Sequence, residues 1–297
     1  MKLIKDHSKV TFHKANFVKM LALHIVALGV APFFFTWQAF AFAFGTALLF
    51  GHSLGLFHHM YHTHKSFKIA KPLERFFTLL GTLSYRGPFS GPIQYVAMHR
   101  VHHAYSDTEH DPHTPDKGIF YALIAWFWRM PFGFSHHSLY ENYTPDFKDE
   151  TFLRFLDRNV DLLQVIWGTV IFISAGLLTS QTGFDWENAT RFLIYGVAVK
   201  SLLIIYLGNW VDVVNHRIGY QSYKTSDKST NSRIMLLIHG GGAISWHNNH
   251  HAHPNYFMVR KNWWEFDVFY LSLKVLEKFK LAGDIKVFDE HKNVFKR

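Results

Sequence analysis

Four long apolar segments constrain this chain of 297 residues more than any other feature. Each segment is close to the ~20 apolar residues that cross the hydrocarbon core of a bilayer. In lipid, a helix satisfies all of its own backbone hydrogen bonds, so such segments are expected to be helical. Lys200 lies inside the last segment and must either reach the interface or face the protein interior. The sequence therefore predicts an all-α membrane protein, with spans at approximately 17–35, 37–57, 162–178 and 191–210.

The connections between the spans predict two hairpins. A very short turn joins the first two spans, and residues 179–190 join the last two. Lys and Arg concentrate on the cytosolic side of membrane proteins, and the only base at either turn is Arg191, at a span edge. We therefore expect both termini and the long central segment in the cytosol.

The 22 histidines are clustered rather than evenly spread. The clusters lie at 58–64, 99–103 and 247–251, and the second and third share the pattern HxxHH. Positions i, i+3 and i+4 lie on one face of a helix, so we expect each HxxHH cluster to aim three imidazoles at one point. All three clusters fall on the cytosolic side of the predicted topology.

This number of histidines predicts a site for two metals. Two triplets and a pair supply about eight imidazoles, which suit iron, copper, zinc or nickel and are too many for one tetrahedral zinc. Two adjacent metals permit chemistry that neither could do alone. The sequence contains neither the Glu-x-x-His of soluble di-iron bundles nor the His-Glu-x-x-His of zinc proteases. Because it contains no cysteine, iron–sulfur clusters and Cys-based zinc sites are excluded.

The ordered set HxxxxH (His59, His64), HxxHH, HxxHH between paired spans resembles the membrane fatty acid desaturases, in particular the bacterial type of the acyl-CoA Δ9 (stearoyl-CoA desaturase-like) branch. The flanking stretches 106–115 (SDTEHDPHTP) and 246–254 (WHNNHHAHP) are similar to segments of that family. The resemblance implies a single desaturase domain over residues 1–297. It also implies four transmembrane helices in two hairpins, a helical cytosolic cap holding a histidine di-iron site, and a place in the bacterial cytoplasmic (inner) membrane.

The resemblance implies two irons, with O2 as co-substrate. The nine histidines implied as ligands are His59, His64, His99, His102, His103, His216, His247, His250 and His251. In the family an Asn lies four residues before the ninth histidine, whereas this chain has Asp212 there. The positions expected to support the metals are Asp212, Asn215, His110, His113 and Asn249.

The first cluster leaves an alternative open. A spacing of five places His64 off the helix face of His59, so the helix must end or unwind there. His58 and His62, at i and i+4, form a geometrically simpler pair.

The implied activity is O2-dependent insertion of a cis double bond, at Δ9, into a saturated acyl chain carried by CoA. We expect the apolar segment 118–134 to be an interfacial or re-entrant helix and aromatic residues to line the substrate tunnel. The tunnel residues expected from this segment are Tyr121, Trp126 and Trp128. The basic residues that could hold a CoA phosphate, or simply contact lipid headgroups, are Arg75, Arg86, Lys224, Arg260 and Lys261.

Electrons must come from a separate protein. The chain has no cysteine for a ferredoxin or rubredoxin domain. We therefore expect a ferredoxin, rubredoxin or cytochrome b5-like donor, with its reductase, to dock on the cytosolic face. The net charge of +9 is explained by topology, so no nucleic-acid partner is expected.

Two other functions remain open from the sequence. A membrane di-iron hydroxylase or ketolase acting on an alkyl lipid or carotenoid would use the same scaffold. A non-enzyme, a His-rich metal transporter, predicts ionisable residues along the spans, which hold little beyond His24, His52 and Lys200.

Overall fold

The computed structural model describes residues 10–85, 87–131, 143–179 and 183–289. Most of these residues are helical. In chain order the helices are α1 (Lys14–Phe34), α2 (Trp37–Thr63), α3 (Lys71–Leu83), α4 (Pro92–Tyr105), α5 (Ile119–Leu123), α6 (Thr151–Arg158), α7 (Val160–Leu178), α8 (Trp186–Asn215), α9 (Arg233–His239), α10 (Gly242–Ser245), α11 (His247–Ala252) and α12 (Val268–Lys278). Short 3-10 turns lie at Gly87–Phe89, Pro115–Lys117, Ala125–Phe127 and Pro145–Phe147.

Helices α1, α2, α7 and α8 are long and apolar enough to cross a membrane. The prediction of a mostly helical chain with four candidate spans is therefore confirmed. Helices α2 and α8 are longer than predicted, because both continue beyond the apolar stretch into the region of the histidine clusters. Large apolar side chains such as Leu28 and Val165 are 64% exposed, as expected for surfaces that contact lipid.

Both hairpin turns end in side-chain caps on the next helix. The Thr36 hydroxyl accepts a hydrogen bond from the Ala39 N–H at the start of α2 (3.2 Å). The Asp185 carboxylate accepts one from the Asn188 N–H at the start of α8 (3.0 Å). Such caps satisfy backbone donors that a helix start leaves without partners.

Lys200 faces the protein interior. Its side chain is fully buried, its Nζ donates a hydrogen bond to the Leu83 carbonyl (2.6 Å), and it lies 5.4 Å from the centre of the Phe50 ring. The interior alternative of the two predicted for this lysine is therefore the correct one. A hydrogen bond and an aromatic face offset part of the cost of burying the ammonium group.

The rest of the chain forms a cap over one end of the four long helices. Three short strand pairs connect its parts: β1 (Val10–Phe12) with β3 (Arg129–Pro131), β2 (Lys68–Ile69) with β5 (Ala282–Gly283), and β4 (Met258–Arg260) with β6 (Val287–Asp289). The first two pairs are antiparallel and the third is parallel. They bring the N-terminal, central and C-terminal segments together, which a purely helical prediction did not include.

The expectation of one interfacial or re-entrant helix over 118–134 is wrong for the residues described. Helix α5 ends at Leu123, and a 3-10 turn and strand β3 follow. Ala122 and Phe127 are fully buried, and the Asn209 side chain of α8 donates to the Leu123 carbonyl (2.6 Å). The segment breaks up because it packs into the core of the cap. Residues 132–134 lie outside the described part of the chain.

Candidate metal centre

Helix α2 changes its winding where it enters the cap. From Leu54 to Thr63 it is a π-helix, in which hydrogen bonds join residues five apart. The His64 N–H donates to the His59 carbonyl (3.3 Å), and the Thr63 hydroxyl donates to the His58 carbonyl (2.7 Å). As a result the rings of His59 and His64 come within 5.0 Å of each other, centre to centre. The π-helix therefore places His59 and His64 on the same face although they are five residues apart.

Five histidines converge in what we call group A. Their ring nitrogens all lie within 4.8 Å of one another. Neighbouring Nε2 atoms are 3.0–3.1 Å apart around the group. The members of group A are His59, His64, His99, His103 and His250.

Four further histidines form group B, again with ring nitrogens within 4.8 Å of one another. Every Nε2 of this group is buried and has no hydrogen-bond partner among the residues that the structure describes. Every Nδ1 is hydrogen-bonded to an oxygen. His102 pairs with Asp111 (3.1 Å), His216 with Asp107 (2.8 Å), His247 with the Ala243 carbonyl (3.0 Å) and His251 with Asp227 (2.8 Å). Because these oxygens accept the Nδ1 proton, the Nε2 lone pairs are left facing one another.

Each HxxHH cluster divides between the two groups. On α4, the i and i+4 histidines His99 and His103 belong to group A, while His102 belongs to group B. On α11 the division is reversed, with His247 and His251 in group B and His250 in group A. The expectation that each cluster aims all three imidazoles at one point is therefore wrong. Positions i+3 and i+4 differ by about 100° around a helix, enough to serve two adjacent points.

The groups are in contact with each other. The rings of His103 and His251 stack with centres 4.4 Å apart, and His102 lies 5.7 Å from His103. All nine histidines expected as ligands are thus brought together, five in group A and four in group B.

Burial keeps most of these imidazoles neutral. It lowers the pKa of His64, His99, His103 and His250 well below the ordinary value, with repulsion between neighbouring rings adding to the effect. Neutral imidazole is the form that binds a metal. At His102 burial also acts to lower the pKa, but the charge and hydrogen bond of Asp111 outweigh it and raise the pKa to about 9. Asp111 therefore favours positive charge at this imidazole, as a proton on Nε2 or as a metal ion in place of that proton.

Both groups fit a bound metal ion. Ligand nitrogens ~2.1 Å from an ion and at right angles to each other lie about 3.0 Å apart, which matches the Nε2 spacing in group A. In group B, four buried acceptor nitrogens without partners would each be costly unless a cation satisfied them. Imidazole donors suit a borderline metal such as iron.

The alternative pair His58 and His62 lies in neither group. The Nε2 of His62 is 2.9 Å from the Thr78 hydroxyl and 3.5 Å from the Glu74 carboxylate, both on α3. His58 is packed beside Gly81 of the same helix. These histidines face α3 because the π-helix turns only every fifth residue toward group A.

The five positions expected to support the metals have different surroundings. His113 lies with its ring 4.6 Å from that of His102, and its Nδ1 is 3.6 Å from the Asp212 carboxylate. Asn215 donates to the Ile244 carbonyl (2.5 Å). Asn249 donates to Glu265 (2.9 Å) and accepts from Asn231 (2.7 Å), and His110 packs against the Tyr105 ring. Of these contacts, the one between His113 and His102 reaches group B directly, and Asp212 lies beside His113.

Three carboxylates of the site were not among the predicted residues. They accept the Nδ1 hydrogen bonds of group B and are Asp107, Asp111 and Asp227. Asp107 and Asp111 lie in the family-like stretch after the second cluster, which was a usable signal. Asp227 lies in a loop between α8 and α9, and only the folded chain brings it to His251.

A cavity of about 180 Å³ lies beside both groups. Its walls include His59 and His99 of group A and His247 of group B. Most of the remaining lining is apolar or small and comes from the facing sides of α2 and α8, including Gly51, Gly55 and Gly208. A mostly apolar space next to two histidine groups that could hold metal ions suits an unfunctionalised hydrocarbon chain.

The aromatic residues expected to line the tunnel lie elsewhere. None of Tyr121, Trp126 and Trp128 is in the cavity wall. The Tyr121 hydroxyl donates to the Pro112 and Arg129 carbonyls, Trp126 stacks on Phe89, and Trp128 packs on Phe17. These rings build the core of the cap instead.

Four helices able to cross a membrane, a cap with two adjacent histidine groups and a hydrocarbon-sized cavity define a class: membrane proteins with histidine groups that could hold metal ions. Comparison with known proteins identifies the family within that class. The chain belongs to the fatty acid desaturase family, whose model, described as Fatty acid desaturase, matches residues 35–270. The predicted family membership is therefore confirmed.

Similar proteins support the same assignment. The chain is 34% identical to an sn-1 stearoyl-lipid 9-desaturase of Synechocystis sp., covering 90% of this chain and 78% of the relative. It is 31% identical to the sn-1 stearoyl-lipid 9-desaturase of Anabaena variabilis, covering 97% and 98%. It is 33% identical to an acyl-CoA 5-desaturase of Anemone leveillei, covering 90% and 78%. As a member of this family, which generally uses di-iron, the protein is an oxidoreductase that acts on fatty acyl chains.

Proposed function

We propose that the protein is an O2-dependent desaturase that introduces a cis double bond at Δ9 of a saturated acyl chain. The observation that carries this proposal is the apolar cavity, whose wall contains histidines of both groups. The position of the bond is supported by the two stearoyl-lipid 9-desaturases, while the acyl-CoA relative is named for position 5. Desaturation removes two hydrogens from adjacent carbons, and O2 is reduced to water with two further electrons from a donor.

We further propose that each histidine group holds one iron. The ligands would be the five members of group A and the four members of group B. When bound, iron supplies the redox chemistry that O2 activation and unactivated C–H bonds require. The protein positions the ligands and shapes their surroundings. Asp107, Asp111 and Asp227 accept hydrogen bonds from Nδ1 of their histidines and so fix the orientation of the rings. The apolar walls of α2 and α8 exclude water from the cavity.

The relatives differ in the carrier of the acyl chain that they are named for. Two of those named above act on stearoyl-lipid and one on acyl-CoA. Of the basic residues that could bind CoA, Arg260 is paired with Asp289 (2.8 Å) and Lys261 donates to the Ser222 carbonyl (2.9 Å). Arg86 lies outside the described residues. A desaturase with either carrier satisfies the proposed function.

For the cell, we propose a single-domain protein of the bacterial cytoplasmic membrane with both termini and the metal centre in the cytosol. The distribution of Lys and Arg supports this orientation. The strand pairs that join the N-terminal, central and C-terminal segments are compatible with a shared side. We also propose a separate ferredoxin, rubredoxin or cytochrome b5-like donor, because the chain lacks cysteines for an iron–sulfur domain.

Gas chromatography with mass spectrometry of total fatty acids tests the proposed function. The host should lack its own desaturase and express the intact chain, a His102→Ala His250→Ala variant, or His24→Ala as a control histidine outside both groups. We expect a new monounsaturated acid from the intact chain and the control, and none from the double variant. Hydroxylated or keto products would instead indicate the related hydroxylase or ketolase activity. An unchanged profile, with iron-loaded protein in the membrane and a ferredoxin, rubredoxin or cytochrome b5-like donor co-expressed, would refute both.

A further inference from the structure

We propose that the substrate is the acyl chain of an intact membrane glycerolipid, which moves sideways into the cavity from the bilayer through a groove between α2 and α8. This inference rests on the proposed desaturase function and names its carrier. The mouth of this α2–α8 groove is formed by Leu48, His52, Leu207, Ile238 and His239, all of which belong to the cavity wall.

The groove opens at membrane depth. Leu48 is a cavity-wall residue and is also 52% exposed on α2, a helix long and apolar enough to span the bilayer. It lies about 16 Å along the helix from Trp37, at a rise of ~1.5 Å per residue. That is about halfway across a ~30 Å hydrocarbon core. The exposed edge of the cavity at Leu48 therefore faces lipid chains rather than water.

The groove runs parallel to the lipid chains. On α2 its wall continues along one helix face from Leu48 through Gly51 and Gly55 to His59 of group A. On α8 the facing wall continues from Ile204 through Gly208 to Asp212. Because both walls follow helices that cross the membrane, a lipid chain beside them is already aligned with the groove. It can enter the groove by moving sideways, and the end of the groove nearest the cap lies beside His59 of group A.

The upper end of the mouth lies beside an apolar surface. Helix α9 exposes Ile234, Leu237 and Ile238, of which Leu237 is 88% exposed. Exposed aliphatic side chains on a short helix next to membrane spans are typical of segments that lie in the membrane interface. A lipid headgroup can therefore stay at the interface while its chain occupies the groove.

The charge of the cavity wall also favours a lipid. Among the described residues, the wall contains no Lys or Arg. The phosphates of CoA are usually held by such cations. The polar side chains of the mouth are His52, which stacks on Phe269 with ring centres 4.4 Å apart, and His239, whose pKa is lowered by burial. Uncharged imidazoles suit a neutral acyl ester better than a polyphosphate.

A labelling experiment in the host used above separates the carriers. The host should also be unable to activate free fatty acids, so that chains released from lipid cannot return as thioesters. Cells are given ¹³C-acetate without O2, so that labelled saturated chains accumulate in glycerolipid. Fatty acid synthesis is then blocked, air is admitted, and intact lipids are analysed by tandem mass spectrometry.

We expect labelled double bonds to appear in glycerolipids made before the block. If they appear only when synthesis continues, the substrate is a thioester and this inference is wrong, while the desaturase function stands. If no double bond appears in either arm, the proposed function itself fails.

A pair of adjacent variants tests the route. Leu48→Trp places a large ring in the groove mouth, whereas Leu49→Trp places it on a neighbouring position that is 50% exposed and outside the cavity wall. We expect Leu48→Trp to slow lipid desaturation about tenfold or more, since small displacements of a reacting chain have effects of this size. Leu49→Trp should match the unaltered chain. Equal rates for the two variants, at equal iron content, would overturn lateral entry.

Discussion

At the residue scale, the histidines near the centre differ in which ring nitrogen is occupied. In group B each Nδ1 is hydrogen-bonded to an oxygen, and within the described part of the chain each Nε2 has no partner. His62, which lies between His59 and His64 of group A in the sequence, contacts the Thr78 hydroxyl on α3 through its Nε2. The same side chain is therefore a potential metal ligand or a packing residue according to the oxygens around it.

The carboxylate of Asp227 should tune metal binding without touching the metal. Its Oδ2 lies 2.8 Å from the Nδ1 of His251, and its charge makes that imidazole a stronger donor. We expect Asp227→Asn to weaken iron binding about 10–100-fold. Iron retention against a competing chelator measures the effect. Asp116→Asn, which alters a surface ion pair with Lys228, is the control and should retain iron normally. Equal retention by both variants would contradict this role.

The pKa of Asp267 predicts that its contribution to folding stability depends on pH. It is buried at the start of α12, where its carboxylate accepts the Tyr270 N–H (3.0 Å), yet burial raises its pKa to about 7. The folded state thus binds this proton more tightly than the unfolded state, whose pKa is close to 3.9. The contribution of Asp267 to folding stability should therefore fall as pH rises from about 4 to about 7 and level off above that.

Asp267→Asn keeps the capping oxygen and cannot ionise. We expect the variant to be more stable than the unaltered protein, by a margin that grows between pH 5 and pH 8. The margin should not exceed about 4 kcal/mol. Melting temperatures in detergent at both pH values measure it. A margin that is the same at the two pH values would show that burial does not raise the pKa.

The residues of the centre were predictable to different degrees. The three histidine clusters stand out in the sequence, and His216 followed from the family resemblance. The division into groups A and B was not predictable, because it depends on how α4 and α11 are rotated about their axes. Asp227 and the cavity wall were not predictable either, since they arise from contacts between segments distant in sequence.

At the scale of elements, the end of α2 is held in its wide winding by α3. Gly81 lies where α3 crosses the π-helix, and a Cβ there would be 2.5 Å from the His58 ring and 3.3 Å from the Leu54 Cα. The two helices can therefore approach closely only because position 81 has no side chain. This contact packs α3 against the π-helix that positions His59 and His64.

The close approach predicts opposite effects of two glycine substitutions. Gly81→Ala should destabilise the protein by roughly 1–3 kcal/mol, the usual cost of overpacking. Gly45→Ala, on α2 at a position with nothing within 4 Å of the added Cβ, should be neutral or stabilising by about 0.5–1 kcal/mol. Thermal unfolding in detergent, together with iron content, compares them. If Gly81→Ala unfolds and binds iron like Gly45→Ala, the tight crossing is not required.

Element prediction succeeded where hydrophobicity alone decides the outcome. The four spans follow from length and apolar content. The π-helical end of α2 could be anticipated only as a break, because nothing in the spacing specifies how the chain unwinds. Segment 118–134 misled because burial in a protein core and burial at a membrane surface require the same apolar composition.

At the scale of the whole molecule, the histidine groups join parts of the chain that are far apart in sequence. His59 and His250 are separated by 191 positions, and their Nε2 atoms lie 3.1 Å apart. Group B likewise brings together α4, the end of α8 and α11. The strand pairs β1–β3, β2–β5 and β4–β6 are short, so metal ions at the two groups would be the main links across the centre of the cap.

Iron removal should therefore lower the stability of the whole protein. A ligand present at ~1,000 times its dissociation constant stabilises the folded state by about 4 kcal/mol per site. In a protein of this size each kcal/mol changes the melting temperature by roughly 2–4 °C. We expect an iron chelator to lower the melting temperature of the iron-loaded protein by about 10 °C or more. A His216→Ala His247→Ala variant, which retains group A, should show a smaller decrease. If the chelator removes the iron and the melting temperature does not change, the cap is held together by its packing alone and the histidine groups serve only the chemistry.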